Sequence, residues 1–173
     1  MGTVMKPWIQ TATERVFNFL QPDVNDISIR DIAHALSNIC RFTGHVGEFY
    51  SVAQHSVLVS YLVNPVYARE ALLHDASEAY LGDVARPLKA MLPEYKELEQ
   101  HVQQEIAKAF YLCWPIPDEV KLADNRALRA EKRDLIPCDH DWGIDVQPMS
   151  GPVSALRWHQ AKMLFLNRYK ELE

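Results

Sequence analysis

The sequence predicts an all-α fold, a single helical bundle over residues 1–173 with a short β-hairpin near its start. Three observations carry that expectation. Apolar residues recur at helical spacing in successive segments between Ser28 and Leu172, whereas strand-like alternation is confined to a short stretch before them. Ser, Asn and Pro stand where these segments begin, and Gly82 stands where one of them stops. A chain of 173 residues with 48% hydrophobic content is long enough for one well-buried core and short for two.

In the hairpin, Trp8–Thr11 faces Arg15–Asn18 across a Thr-Glu turn, and Gln21-Pro22-Asp23 ends the pattern. A first helix follows from Ser28 to Ile39. Ser28 and Asp31 hold capping-box positions, with Asp in place of the usual Glu or Gln, and Ile29, Ile32, Ala33, Leu36 and Ile39 form the apolar stripe. Ser51 and Gln54 form a second capping box, which opens a helix running to Val63. Asn64 and Pro65 start a third, continuous to its Gly82 cap. Pro93–Tyr111 and Glu119–Leu135 are the next two helices, residues 137–152 are an aperiodic loop rich in Asp, Gly and Pro, and the last helix spans Ser154–Leu172.

Charge and cysteine content exclude several classes of function. With 18 basic against 23 acidic residues the net charge is -5, which argues against a partner that is a nucleic-acid polymer or an anionic membrane. Any phosphate recognition is therefore local. Three widely spaced cysteines form neither a disulfide framework nor a zinc ribbon, in keeping with a reducing, cytoplasmic setting. Met1–Lys6 has no apolar leader and no myristoylation pattern, and no apolar run approaches the roughly 20 residues needed to span a bilayer.

The third predicted helix holds the chemistry. His74 and Glu78 lie at i and i+4 and share a face, with Asp75 turned about 100° from His74. An imidazole and carboxylates beside Leu72 and Leu73 are costly to bury without a cation or hydrogen-bonding partners. Arg41 with Phe42, just past the first helix, pairs a guanidinium fork suited to phosphate with a ring suited to a base. His55 on the second helix and Asp124 on the fifth complete a set of two imidazoles and two carboxylates. Such a set suits zinc, manganese, cobalt or iron and leaves coordination positions open.

In order, Ser51-Val52-Ala53-Gln54-His55, Leu73-His74-Asp75-Ala76-Ser77-Glu78 and Lys121-Leu122-Ala123-Asp124 resemble the motifs of the HD-domain metal-dependent phosphohydrolases, over about Arg30 to Arg133. Within that superfamily the chain is most similar to phage dATP triphosphohydrolases and bacterial 5′-deoxynucleotidases. The resemblance implies an HD-type helical bundle with His55, His74, Asp75 and Asp124 as metal ligands and Glu78 and Asp83 as the acidic pair near the attacking water. It also implies phosphate binding by Arg41, Lys89 and Lys121 and base packing by Phe42, where the family usually has Trp. Zinc is the first expectation for the metal, with magnesium or cobalt as further ions accompanying substrate.

The activity so implied is hydrolysis of dATP to deoxyadenosine and triphosphate, with 5′-deoxynucleotidase action on monophosphates as the alternative. A non-catalytic nucleotide-binding module is the reading from another class. For Lys121 a solvated position one turn before Asp124 is an equal expectation. The related nucleotidases are oligomeric, and Trp142, Trp158, Met163, Phe165 and Tyr169 add many large apolar side chains near the end of the chain, so a homo-oligomer is expected.

Overall fold

Residues 6–173 are described by a computed structural model, and the reading of the first five residues lies outside them. The fold is all-α with one small antiparallel hairpin. Strands β1 (Trp8–Gln10) and β2 (Val16–Asn18) pair with Ile9 opposite Phe17. Among the described residues there are eight α-helices, α1 (Ile29–Asn38), α2 (Val52–Ser60), α3 (Ala68–Leu72), α4 (Glu78–Leu81), α5 (Arg86–Lys89), α6 (Pro93–Ala109), α7 (Asp118–Leu135) and α8 (Trp158–Glu171). No helix among the described residues is long and apolar enough to cross a membrane.

Period-2 alternation puts Phe17 inward, where it is fully buried and stacks on Tyr80 with ring centroids 3.9 Å apart. Asp31 does not close a capping box. It faces the hairpin instead, accepting from the backbone and hydroxyl of Thr13 (2.7 and 2.6 Å) and from the Thr11 hydroxyl (3.0 Å), while Ser28 alone caps α1. The second capping box is likewise half formed. Ser51 accepts from the Gln54 amide, but the Gln54 side chain leaves the helix to bind Ser154 O and Leu156 N, fastening the approach to α8. Both departures have one cause: a long-range partner offers these polar side chains more than the local cap does.

Helix α2 lies at the centre, packed against α1, α3, α7 and α8. Its buried faces include Val52, Ala53, Val57 and Val59, so His55 is fully enclosed in the same helix. Helix α8 begins at Trp158, four residues later than its periodicity suggests, and seats Ala161 and Phe165 in the core. Tyr169 packs edge-on against Phe110. The five large side chains near the end of the chain are divided: Phe165 and Tyr169 pack in this chain's own core, Trp142 lines a cavity, and Trp158 and Met163 are exposed.

The continuous third helix expected over Pro65–Leu81 is broken into three pieces. Asn64 caps a single 3-10 turn (Pro65–Tyr67), α3 follows, and residues 73–77 form a turn before α4. The break has a visible cause. In a continuous helix Ser77 N–H would donate to Leu73 O, but the buried carboxamide of Gln103 on α6 is inserted between them. It donates to Leu73 O (2.7 Å) and accepts from Ser77 N (3.0 Å). Two hydrogen bonds replace one, and His74 and Asp75 turn together toward α2. Gly82 then ends α4 at φ 82°, a left-handed conformation that a side chain would strain.

Candidate metal centre and its cavity

His55 is held from behind. Its Nδ1 lies 2.6 Å from Glu131 Oε1, and since a carboxylate only accepts, that nitrogen carries a proton and Nε2 is the nitrogen left to face an ion. The same logic fixes His74, whose Nδ1 donates to Ala71 O at 2.8 Å. Both Nε2 atoms are buried without a hydrogen-bond partner among the described residues, and the two rings are 5.4 Å apart.

Carboxylates close the set. Asp124 Oδ1 is 3.2 Å from His55 Nε2, and Asp75 Oδ2 is 3.2 Å from His74 Nε2 and 3.7 Å from His55 Nε2. His55, His74 and Asp124 present one ligand atom each, all within 4.8 Å of one another, so this group could hold a metal ion. Asp75, on the same turn, borders it. Buried imidazole nitrogens beside ionised oxygens offer a cation both donors and compensating charge.

The electrostatics describe a site that attracts positive charge. Burial and Arg41 work against a positive His55, yet Glu131 and Asp124 outweigh them and push its pKa up to about 9, so without an ion the same carboxylates hold a proton on Nε2 that a metal would displace. Burial raises Asp124, but His55 and then His74 overcome it and hold the carboxyl at about 2. Asp75 is also held down against its burial, chiefly by His74. Glu78 behaves oppositely: burial, Asp75 and Asp83 push its pKa well up, and Oε2 is buried without a partner. Asp83 is raised mainly by burial.

A cavity of about 810 Å³ lies over this floor, lined at its polar end by Arg41, Asp75, Glu78, Asp83, Arg86, Lys89 and Asp124. Arg41 reaches in from a loop whose neck is closed by its own amide on Tyr50 O (2.9 Å). The guanidinium lies 3.2 Å from Glu131 and 3.7 Å from Asp75. Phe42 and Thr43 both take left-handed φ values (57° and 55°), a conformation costing roughly 1–2 kcal/mol per residue, and this bend turns the Phe42 ring into the cavity. Opposite Phe42 stands Trp142, ring centroids 5.9 Å apart, with Leu128, Ile136 and Ile144 completing an apolar end. The loop bearing Trp142 is tied to α7 by Lys132 on Cys138 O and His140 O and by Arg133 on Met149 O and Gly151 O.

Seven of the ten residues singled out from the sequence line this cavity, and His55 and His74 lie behind it against Asp124 and Asp75. Lys121 does neither. It points outward to Asp118 at 2.8 Å, is largely exposed and is not among the lining residues, because one turn before Asp124 on α7 lies a solvent face. Lys89 lines the cavity but is already paired with Glu99 at 2.5 Å, with Glu78 3.9 Å away.

Three residues of the site escaped the sequence reading. Glu131 is fully buried, accepting from Tyr50 Oη (3.0 Å) as well as His55. Burial alone would raise its pKa, and Arg41, His55 and these hydrogen bonds hold it down instead. A signal for it existed: it falls on the apolar stripe of Val120, Ala123 and Ala127, where a carboxylate needs partners. Arg86 donates to Asp124 Oδ2 (2.8 Å) and Asn125 Oδ1 (2.9 Å). Trp142 sits in a loop without periodicity.

No known family profile matches the chain. It is 41% identical over 170 residues to the uncharacterized protein YfdR of Escherichia coli, covering 95% of each chain. An uncharacterized protein of Rhodobacter capsulatus is 35% identical over 144 residues, covering 75% of this chain and 74% of that one. At such identity across nearly the whole length of both proteins, the chain belongs to the family of Escherichia coli YfdR.

Proposed function

We propose that this protein is a metal-dependent phosphohydrolase acting on deoxynucleotides. The observation that carries the reading is the pair of buried Nε2 atoms of His55 and His74, unpartnered among the described residues and each with its Nδ1 held from behind, set against Asp124 and Asp75 in the wall of a cavity large enough for a nucleotide. His55, His74, Asp75 and Asp124 would hold the ion, and two nitrogens with two carboxylates fit a first-row divalent metal, zinc foremost. When bound, it supplies Lewis acidity and a lowered pKa for water.

The chain's own groups supply the rest. Glu78 Oε2, buried and with raised proton affinity, accepts a proton from the attacking water, and Asp83 raises that affinity further. Arg41 compensates charge on the phosphoryl oxygens. Phe42 and Trp142 receive the base at the apolar end.

Between the two substrates the resemblance implies, the arrangement favours a 5′-monophosphate. Lys121 faces away and Lys89 is turned to Glu99, whereas Arg41, itself braced by Glu131 and Asp75, is the most buried cation among the lining residues. The dATP triphosphohydrolase reading keeps one specific support, the exposed guanidinium of Arg86 at the cavity wall, able to meet outer phosphates. The test is product analysis with dAMP and dATP and added zinc, manganese, cobalt or magnesium. Phosphate and deoxyadenosine from dAMP support the monophosphatase, and triphosphate from dATP supports the alternative. Metal binding without turnover of any deoxynucleotide would favour a nucleotide-binding module.

A further inference from the structure

Glu131 is a fully buried carboxylate, and it touches three groups. Its Oε1 accepts from Tyr50 Oη at 3.0 Å and lies 2.6 Å from His55 Nδ1, and its Oε2 lies 3.2 Å from Arg41 Nη2. A buried ion pair is a poor device for stability, since apolar side chains of similar volume usually serve a core as well or better. The identity of the partners is informative: one is the enclosed imidazole of the metal centre, another is the guanidinium at the cavity floor, and the third is a buried hydroxyl that shares the oxygen facing His55.

We infer that Glu131 is a positioning residue whose two oxygens assemble the two halves of the site, one orienting His55 toward the metal and the other holding Arg41 toward the substrate's anion. His74 needs no such device, because its Nδ1 partner is the backbone carbonyl of Ala71, fixed by α3. His55 relies on a side chain for the same service, so the direction of its Nε2 lone pair depends on Glu131. Arg41 sits on a loop, and of its two carboxylate neighbours Glu131 is the nearer (3.2 against 3.7 Å) and the one with no exposure to solvent. The Arg41 half rests on the phosphohydrolase reading, whereas the His55 half requires only that a metal binds.

Two substitutions at this position separate the two roles. In Glu131→Gln the amide oxygen still accepts from Tyr50 and His55, leaving its NH2 toward the Arg41 guanidinium, donor against donor. Calorimetric titration of cobalt into the metal-free full-length protein should show affinity within about threefold of wild type, since the His55 contact survives. Inorganic phosphate binding to the cobalt-loaded protein should fall roughly tenfold or more, as expected on losing a charged partner. Glu131→Ala should weaken cobalt itself about 10- to 100-fold. Circular dichroism and thermal melting report whether each variant is folded, and if the Ala variant is not, the Gln variant decides alone by its split between the two titrations.

Melting temperature lowered with both affinities unchanged would overturn the inference, leaving Glu131 a packing element. Equal losses in both titrations for the Gln variant would overturn the division of labour between its oxygens. Wild-type protein that binds cobalt but no phosphate would count against the phosphohydrolase reading, and the cobalt titration of the Ala variant would still test the His55 half.

Discussion

Arg86 donates to the outer oxygen of Asp124 at 2.8 Å while the inner oxygen faces His55 at 3.2 Å. A carboxylate pinned on one oxygen offers the other in a single direction, which favours one-point coordination. Partners of this kind are worth about 10- to 100-fold in metal affinity or activity, and the exposure of Arg86 places it at the lower end. Arg86→Ala is expected to lower kcat/KM for dAMP about tenfold. Arg86→Lys, which cannot bridge Asp124 and Asn125 in a fork, should recover little of it.

Removing the Gln103 carboxamide leaves a buried carbonyl and a buried amide without their partners. Each such loss costs about 1–3 kcal/mol, although the two groups can partly recover by closing toward each other. Gln103→Leu is expected to destabilise by about 2–3 kcal/mol, roughly 4–12 °C in Tm for a domain of this size. It should also weaken metal binding, because the freed segment relaxes toward a regular helix and carries His74 and Asp75 away from α2. Thermal melting with a parallel metal titration checks both effects.

Glu78 opposes folding when it ionises. With its folded pKa raised by burial, Asp75 and Asp83 above the ordinary 4.5, the folded state binds the proton more tightly than the unfolded state. Its cost is absent below pH 4.5, grows as pH rises toward the folded pKa and is constant beyond it. Glu78→Gln should therefore raise the Tm of the metal-free protein at pH 8, with the gain vanishing near pH 4, while hydrolysis is lost. A Tm difference independent of pH would contradict this.

Trp142 and Phe42 make separable contributions at the apolar end. Stacking of a base on an aromatic ring is worth about 1–3 kcal/mol, so Trp142→Ala should raise KM for dAMP roughly tenfold with a smaller change in kcat. Lys121→Ala, on the solvent face of α7, should leave both constants within about twofold.

What the sequence disclosed and what it withheld divide along one physical line. Helical stripes, the Ser51 and Asn64 caps and the Gly82 stop depend on residues within a turn or two of one another, so the helices could be read locally. The ordered His55, His74-Asp75 and Asp124 set was legible because each member lies in a distinctive short segment. The break at residues 73–77 was hidden because its cause, Gln103, lies 26 and 30 positions from the groups it binds. The failed capping boxes were hidden for the same reason, since Asp31 and Gln54 spend their side chains on partners 18 and 100 positions distant. For Lys121 the sequence left a phosphate-binding and a solvated position equally open, because spacing gives a helical position but not which face is turned to water, and the structure has it on the solvent face.

Asp124 and Glu131 stand on one uninterrupted helix, seven positions apart (131 minus 124), a separation that nearly completes two turns and returns both side chains to the same face. The helix therefore acts as a ruler between the front and the back of His55. Length is guarded here more strictly than composition: adding one residue between them would swing Glu131 about 100° around the axis and carry it about 1.5 Å along it. Exposed positions inside the interval, by contrast, can change chemically without altering that measure. The loop over residues 137–152 has the opposite character, because cords from Lys132 and Arg133 to its carbonyls could follow a longer or shorter path. Variation in the size of the cavity's apolar end is thus available to this fold without disturbing the spacing of Asp124 and Glu131 about His55.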